Sequence, residues 1–240
     1  MAASLSSHDV ARLLSEPSSD MRADLASKVA ADLTGNALTP AEVKMAQDIV
    51  RILARDLEEK VRASLSRGLR HAANLPRDVA LKLARDVEYV ALPMLADSLV
   101  LTDDDLIEIV RNGSSLKQEA IASRQNLPLT VSDALISHAD EPAVVVLMGN
   151  NTAAIGADGF NRAITRFAAS DRVTQAMVLR EKLPATVAER LVTLVSRALQ
   201  AHLVTAHELA PATAADIVLT SREHAIIHLS LGASDEDLRQ

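Results

Sequence analysis

Apolar residues return at helical spacing behind three Leu-Pro dipeptides, in NLPRDVALKLARD (74–86), NLPLTVSDALISH (126–138) and KLPATVAERLVTL (182–194). After each dipeptide the pattern runs Val79, Leu83; Val131, Leu135; and Val187, Leu191, Leu194, one stripe on a 3.6-residue period. Each segment predicts a short amphipathic helix with Pro76, Pro128 or Pro184 just inside its start, where the missing N–H costs nothing. The leucine before each proline is spaced to close the first turn on the valine four positions later. Midway between these sites the pattern recurs at Leu101 in LTDDDLIEIV and Ile155 in IGADGFNRAI, and beyond the last at Leu209 in LAPATAADIVL. From Leu75 to Leu209 the anchors are separated by 26, 26, 28, 28 and 26 residues. That period belongs to helix pairs that cannot bury their own apolar stripes and do so by stacking.

The second helix of each pair has its own start signal. Asp86 precedes VEYVALPML, Ser114 and Ser115 precede LKQEAIA, Asp140 precedes EPAVVVLM and Asp171 precedes RVTQAMVL. Pro93, inside YVALPML, is expected to kink its helix or shorten its first half. Upstream, LTPAEVKMAQDIVRILARDL has Thr39 and Glu42 at capping-box spacing with Pro40 at the first helical position, predicting helices at about 40–54 and 57–72. Two helices near 7–15 and 18–33, stopped by Thr-Gly-Asn at 34–36, complete the N-terminus. The expectation is an all-α, right-handed α-solenoid of stacked helix pairs, with N-terminal capping helices over 1–37 and one continuous repeat array over 38–240. A further repeat begins at ASDEDLRQ and stops after about one turn, as expected of a fragment of a longer protein or of a frayed tail.

Composition agrees with helices: 48% of residues are hydrophobic, with only 7 glycines among 240 residues. The apolar set is mostly Ala, Leu and Val, with one Tyr, two Phe and no Trp. The absence of cysteine removes disulfides, thiolate metal sites and cysteine nucleophiles, and fits a cytoplasmic location. No apolar run reaches membrane-spanning length, and the N-terminus lacks the pattern of a secretory signal, so no membrane partner is expected. The net charge of −7 is spread over both halves, which disfavours a nucleic-acid binder.

Candidate chemistry is sparse. Asp103, Asp104 and Asp105 sit at a helix start behind Thr102, where carboxylates complement the helix dipole, so the cluster reads as capping. GNNTAAIGADG (149–159) is a loop that lacks phosphate-binding glycine spacing. His224 and His228 share a helical face, but neither HExxH nor a third ligand accompanies them. GxSxG does not occur. No catalytic, cofactor-binding or metal residues are therefore assigned, and no cofactor is expected. The most basic helix, DLEEKVRASLSRGLRHAAN (56–74), places Leu57, Val61, Leu65, Leu69 and Ala72 on one arc. Lys60, Arg67 and His71 fall opposite with Arg70 flanking, and these four form the candidate binding surface. Asp56, Glu58 and Glu59 at the helix start, and three aromatic residues in all, weigh against base stacking.

The stretch ASLSRGLRHAANLPRDVALKLARDVEYVALPML resembles bacterial leucine-rich-repeat variants and, more loosely, HEAT repeats. Together with DIVLTSREHAIIHL it resembles an alphaproteobacterial family of unknown function over about residues 38–232. That resemblance implies the helical-repeat architecture, brings no catalytic motif, and implies members that run past residue 240. The expected function is a non-enzymatic scaffold that binds a protein or peptide along its groove. The alternatives are nucleic-acid or nucleotide binding around Arg67 and Arg70, and a helical-repeat DNA glycosylase, for which the aromatic shortage leaves little support.

Overall fold

A computed structural model describes residues 18–35, 37–192 and 194. Among the described residues there are twelve α-helices and no strand. The first eight are α1 (Ser19–Thr34), α2 (Pro40–Leu53), α3 (Glu59–Leu69), α4 (Arg77–Ala84), α5 (Glu88–Asp97), α6 (Asp103–Asn112), α7 (Ser115–Ala122) and α8 (Leu129–His138). They are followed by α9 (Glu141–Gly149), α10 (Ala157–Arg166), α11 (Asp171–Val178) and α12 (Ala185–Val192). The chain divides into two compact units within the Gly/Asn stretch: residues up to Leu147 with Thr152–Ala154, and Met148–Asn151 with residues from Ile155 on. The expected helix near 7–15, the unit after Leu209 and the His224/His228 pair lie outside the described residues.

The anchors start helices as the spacing predicts, with a one-residue shift. Pro76 and Pro128 occupy the N-cap position rather than the first helical turn, at φ −61° and −65°. Their carbonyls open the helices, Pro76 O accepting from the N–H groups of Val79 and Ala80 and Pro128 O from Ser132 N–H. A proline fits there because its fixed φ suits the cap and no N–H is demanded of it. Thr39 and Glu42 form the expected capping box with Pro40 at the first position. Thr102 and Asp105 form a second one, which accounts for part of the acidic triplet. Before α11 the cap is Ser170, whose hydroxyl accepts from Val173 N–H, not Asp171. Helix α5 runs unbroken through Pro93.

In the first unit each odd-numbered helix packs on the next odd one, α1 on α3, α3 on α5 and α5 on α7, while α6 packs on α8. Sequence neighbours bridge the rows, as α1 with α2, α4 with α5 and α6 with α7. The stripes read from the sequence fill the space between: Leu75, Val79, Leu83, Leu101, Leu127, Val131 and Leu135 are all buried. In the second unit α10, α11 and α12 pack on one another around Phe160, Ile164, Met177 and Leu191. The anchors Ile155 and Leu183 are only half-buried there.

Helices α1 and α3 face each other with small residues. Ser27 Oγ lies 2.7 Å from Ser64 Oγ, and Thr34 Oγ1 donates to Gly68 O at 3.2 Å. A Cβ on Gly68 would lie 2.5 Å from Ala30 Cβ. Gly68→Ala should therefore destabilise the protein by about 1–2 kcal/mol, although alanine is the better helix former, because overpacking outweighs propensity. Chemical denaturation checks this, and Ala30→Gly in the same chain should restore most of the loss.

Candidate functional site

Of the four basic residues chosen from the sequence, Lys60 and Arg67 lie on the solvent side of α3, while the helix ends at Leu69 and leaves Arg70 at its C-cap and His71 beyond it; each meets a neighbour. Lys60 Nζ is 2.8 Å from Asp20 of α1. Arg67 lies 5.1 Å over the ring of Tyr89 and donates from Nη1 to its hydroxyl at 2.7 Å. Arg70 Nε is 3.2 Å from Asp97, Nη1 donates to Arg67 O, and His71 Nε2 accepts from Arg70 Nε. Arg67, Arg70 and His71 are thus drawn together, while Lys60 stands at the other end of the helix. Leu57 corrects the sequence-derived arc: it is 96% exposed, because α3 begins only at Glu59. Asp56 shapes that start by accepting from Glu58 N–H at 2.9 Å.

Arginine–aspartate pairs tie successive helix pairs together. Arg22 of α1 donates to both oxygens of Asp56, at 2.6 and 3.1 Å. Arg62 of α3 donates to both oxygens of Asp86, at 2.6 and 2.8 Å. The two arginines hold the same position, the fourth residue of their helices, so this is one tie built twice. In the other row Arg77 donates to both oxygens of Asp105, at 2.9 and 2.7 Å. Burial pushes the carboxyls of Asp56 and Asp86 up, but hydrogen bonds from Arg22 and Arg62 and from the N–H groups of Glu58 and Val87 outweigh it. Both therefore stay below the usual aspartate range. Asp105 is held down chiefly by Arg77, against a smaller cost of burial.

Two arginines, Arg180 buried and Arg124 half-buried, escaped the sequence reading. Arg124 donates to Leu95 O and Ser98 O at 2.7 and 2.6 Å, at the C-terminal end of α5. Arg180 donates to Met148 O and Asn150 O at 3.1 and 2.7 Å and lies 5.6 Å from the Phe160 ring. Each satisfies helix-end carbonyls with a cation, which suits the negative end of the dipole. The signal was present: both stand three residues before a Leu-Pro anchor, in RQNLP and REKLP.

The corners that carry Asp56 and Asp86 repeat a motif, Arg55-Asp56-Leu57-Glu58 and Arg85-Asp86-Val87-Glu88. Three open hollows of about 640, 510 and 300 Å³ follow one another along these corners of the first unit. Arg55, Asp56 and Leu57 line both the first and the second, and Arg85 both the second and the third. Lys82 lines the second and Lys117 the third. Arg55 has no side-chain partner among the described residues. The three hollows thus share lining residues along one edge, where arginine and lysine side chains meet Ile52 and Leu57.

Among the described residues no group of three His, Cys, Asp or Glu side chains is placed to hold a metal ion. No described helix is long and apolar enough to cross a membrane.

No curated protein and no solved structure matches the chain. Residues 90–240, more than half of the sequence, match the family described as an uncharacterised protein conserved in bacteria (DUF2336). The match begins inside α5, well after residue 38, where the resemblance was expected to begin, and on it the chain belongs to that bacterial family.

Proposed function

We propose that this chain is a non-enzymatic, cytoplasmic scaffold whose HEAT-like helix pairs stack into a right-handed α-solenoid and bind another protein or peptide. The observation that carries the reading is the packing of the first unit, where α1, α3, α5 and α7 follow one another side by side and the same Arg–Asp tie joins consecutive pairs. Such an array holds its surface rigid without enclosing an active site, and its recognition is geometric. The nucleic-acid alternative is weakened by the partners of Lys60, Arg67, Arg70 and His71, which direct that charge toward Asp20, Tyr89 and Asp97.

Affinity capture from bacterial extract, with and without nuclease, tests the proposal. The expected result is a discrete protein partner, retained equally under both conditions. Retention abolished by nuclease would transfer the function to nucleic acid, and no retained macromolecule at all would remove the scaffold.

A further inference from the structure

We infer that the corner edge of the first unit docks an extended, acidic segment of a partner protein that presents an apolar residue at every third position. This rests on the scaffold reading and assigns it a surface and a ligand chemistry.

The edge offers one exposed apolar side chain per helix pair. Leu57 is 96% exposed, Val87 49% and Leu116 49%, and they stand at successive corners, ahead of α3, at the cap of α5 and in the first turn of α7. A leucine so exposed costs solvation and contributes nothing to the core, and Ile52, 69% exposed beside it, extends the same surface. Around them the charge is positive. Asp56 and Asp86 are held by Arg22 and Arg62, while Arg51 and Arg85 are engaged by Asp78 and Glu108. Among the described residues that leaves Arg55 without a side-chain partner and Lys82 without an ion pair within 4 Å. Lys117 directs its ammonium to the Asp86 carbonyl, which cancels no charge. Leu57 lines two of the hollows, whereas Val87 and Leu116 stand at their corners outside the lining, as do Glu58 and Glu88. A local excess of cations in a chain of net charge −7 selects an anionic ligand.

The repeat of the edge fixes the spacing of that ligand. Helices packed side by side lie roughly 8–10 Å apart. A polyproline-II segment has three residues per turn at about 3.1 Å each, so every third side chain returns to one face after roughly 9 Å. Such a segment places its first, fourth and seventh residues beside Leu57, Val87 and Leu116, with acidic residues between them facing Arg55, Lys82 and Lys117. Bare phosphate or single-stranded nucleic acid would meet the cations but leave the apolar side chains uncovered, and only Tyr89 and the two phenylalanines are available for stacking anywhere in the chain.

The test uses the full chain and a fluorescein-labelled nine-residue peptide with leucine at positions 1, 4 and 7 and glutamate, aspartate or proline elsewhere, read by fluorescence anisotropy at low salt. Saturable binding is expected. It should weaken at least tenfold in Arg55→Glu/Lys82→Glu and several-fold in Leu57→Ser, two variants at exposed positions that leave the helices intact by circular dichroism. Arg67→Glu, on the solvent side of α3, should bind as the unaltered protein does. Absence of saturable binding, equal binding of a peptide with serine for leucine, displacement by an equal concentration of single-stranded RNA, or indifference to both edge variants would overturn the assignment. If the captured partner survives nuclease and is still retained by Arg55→Glu/Lys82→Glu, the scaffold stands and this edge is not its docking site.

Discussion

Leu127→Ala is expected to lower stability by about 3–5 kcal/mol, read as a fall in the urea midpoint without loss of helical signal in the native baseline. Leu127 is 1% exposed, and the segment around it is fastened by backbone as well as by packing. Its carbonyl accepts from Ala154 N–H at 2.9 Å, and Asn126 N–H donates to Thr152 Oγ1 at 3.0 Å. Asn126 itself has φ 53°, the left-handed conformation that asparagine tolerates, and it turns the chain from α7 into α8. These bonds hold the backbone in place when the side chain is cut back, so the site cannot collapse and the cavity persists. The same substitution at Leu183 should cost only about 1–2 kcal/mol, because a half-buried leucine has less transfer free energy to lose. The repeat alone makes the two leucines equivalent; their surroundings separate them. Equal losses at both positions would contradict the difference in burial.

What the sequence disclosed and what it concealed follow from the range of the interactions. Helix starts depend on residues within one turn, so Thr39 with Glu42 and Thr102 with Asp105 were legible as capping boxes, and the Leu-Pro anchors located α4, α8 and α12. The apolar period placed Val79, Leu83, Val131 and Leu135 in the core for the same reason. Leu57 failed because the helical arc assumed a helix that already existed at residue 56, whereas the Asp56 carboxylate turns the chain and delays α3. The buried position of Ser66 was hidden too, since its hydroxyl donates to Val90 O on the next odd helix at 2.6 Å, a partner 24 residues away. Arg124 and Arg180 looked like surface arginines because their acceptors are carbonyls about 30 residues earlier, and only their shared place three residues before a Leu-Pro anchor hints at them. The candidate surface shares this limit. A helical projection puts Arg67 and Arg70 on the outside of α3, but it cannot know that Tyr89 and Asp97 of α5 stand beside them.

Breaking the tie between Arg62 and Asp86 should have the second large effect, and its pH dependence identifies the cause. Asp86→Ala removes both carboxylate acceptors from a guanidinium whose side chain is only 15% exposed, and it frees the Val87 N–H at the start of α5. The expected loss is about 2–4 kcal/mol, because the arginine is left with the carbonyls of Asp56 and Leu57 and only the weaker charge interactions of Glu59 and Asp56. Asp86→Asn keeps an acceptor and should lose less. Adding Arg62→Met to Asp86→Ala should recover part of the loss, since the uncompensated charge is then gone and the methionine stem can still pack. The carboxyl of Asp86 titrates lower in the folded chain than in the unfolded one, so its contribution is complete above the unfolded value of about 3.9 and disappears as pH falls through the folded one. Asp56 and Asp105 shift in the same direction, so acid acts on three ties joining successive helix pairs. Unfolding free energy measured between pH 7 and pH 2.5 should therefore be flat above about pH 5 and fall steeply below pH 4. The fall should be shallower in Asp86→Ala, which has already lost one of the three. An equal slope in both proteins would mean that acid acts elsewhere, and that the repeated tie is an ornament of the corner and not what holds one helix pair to the next.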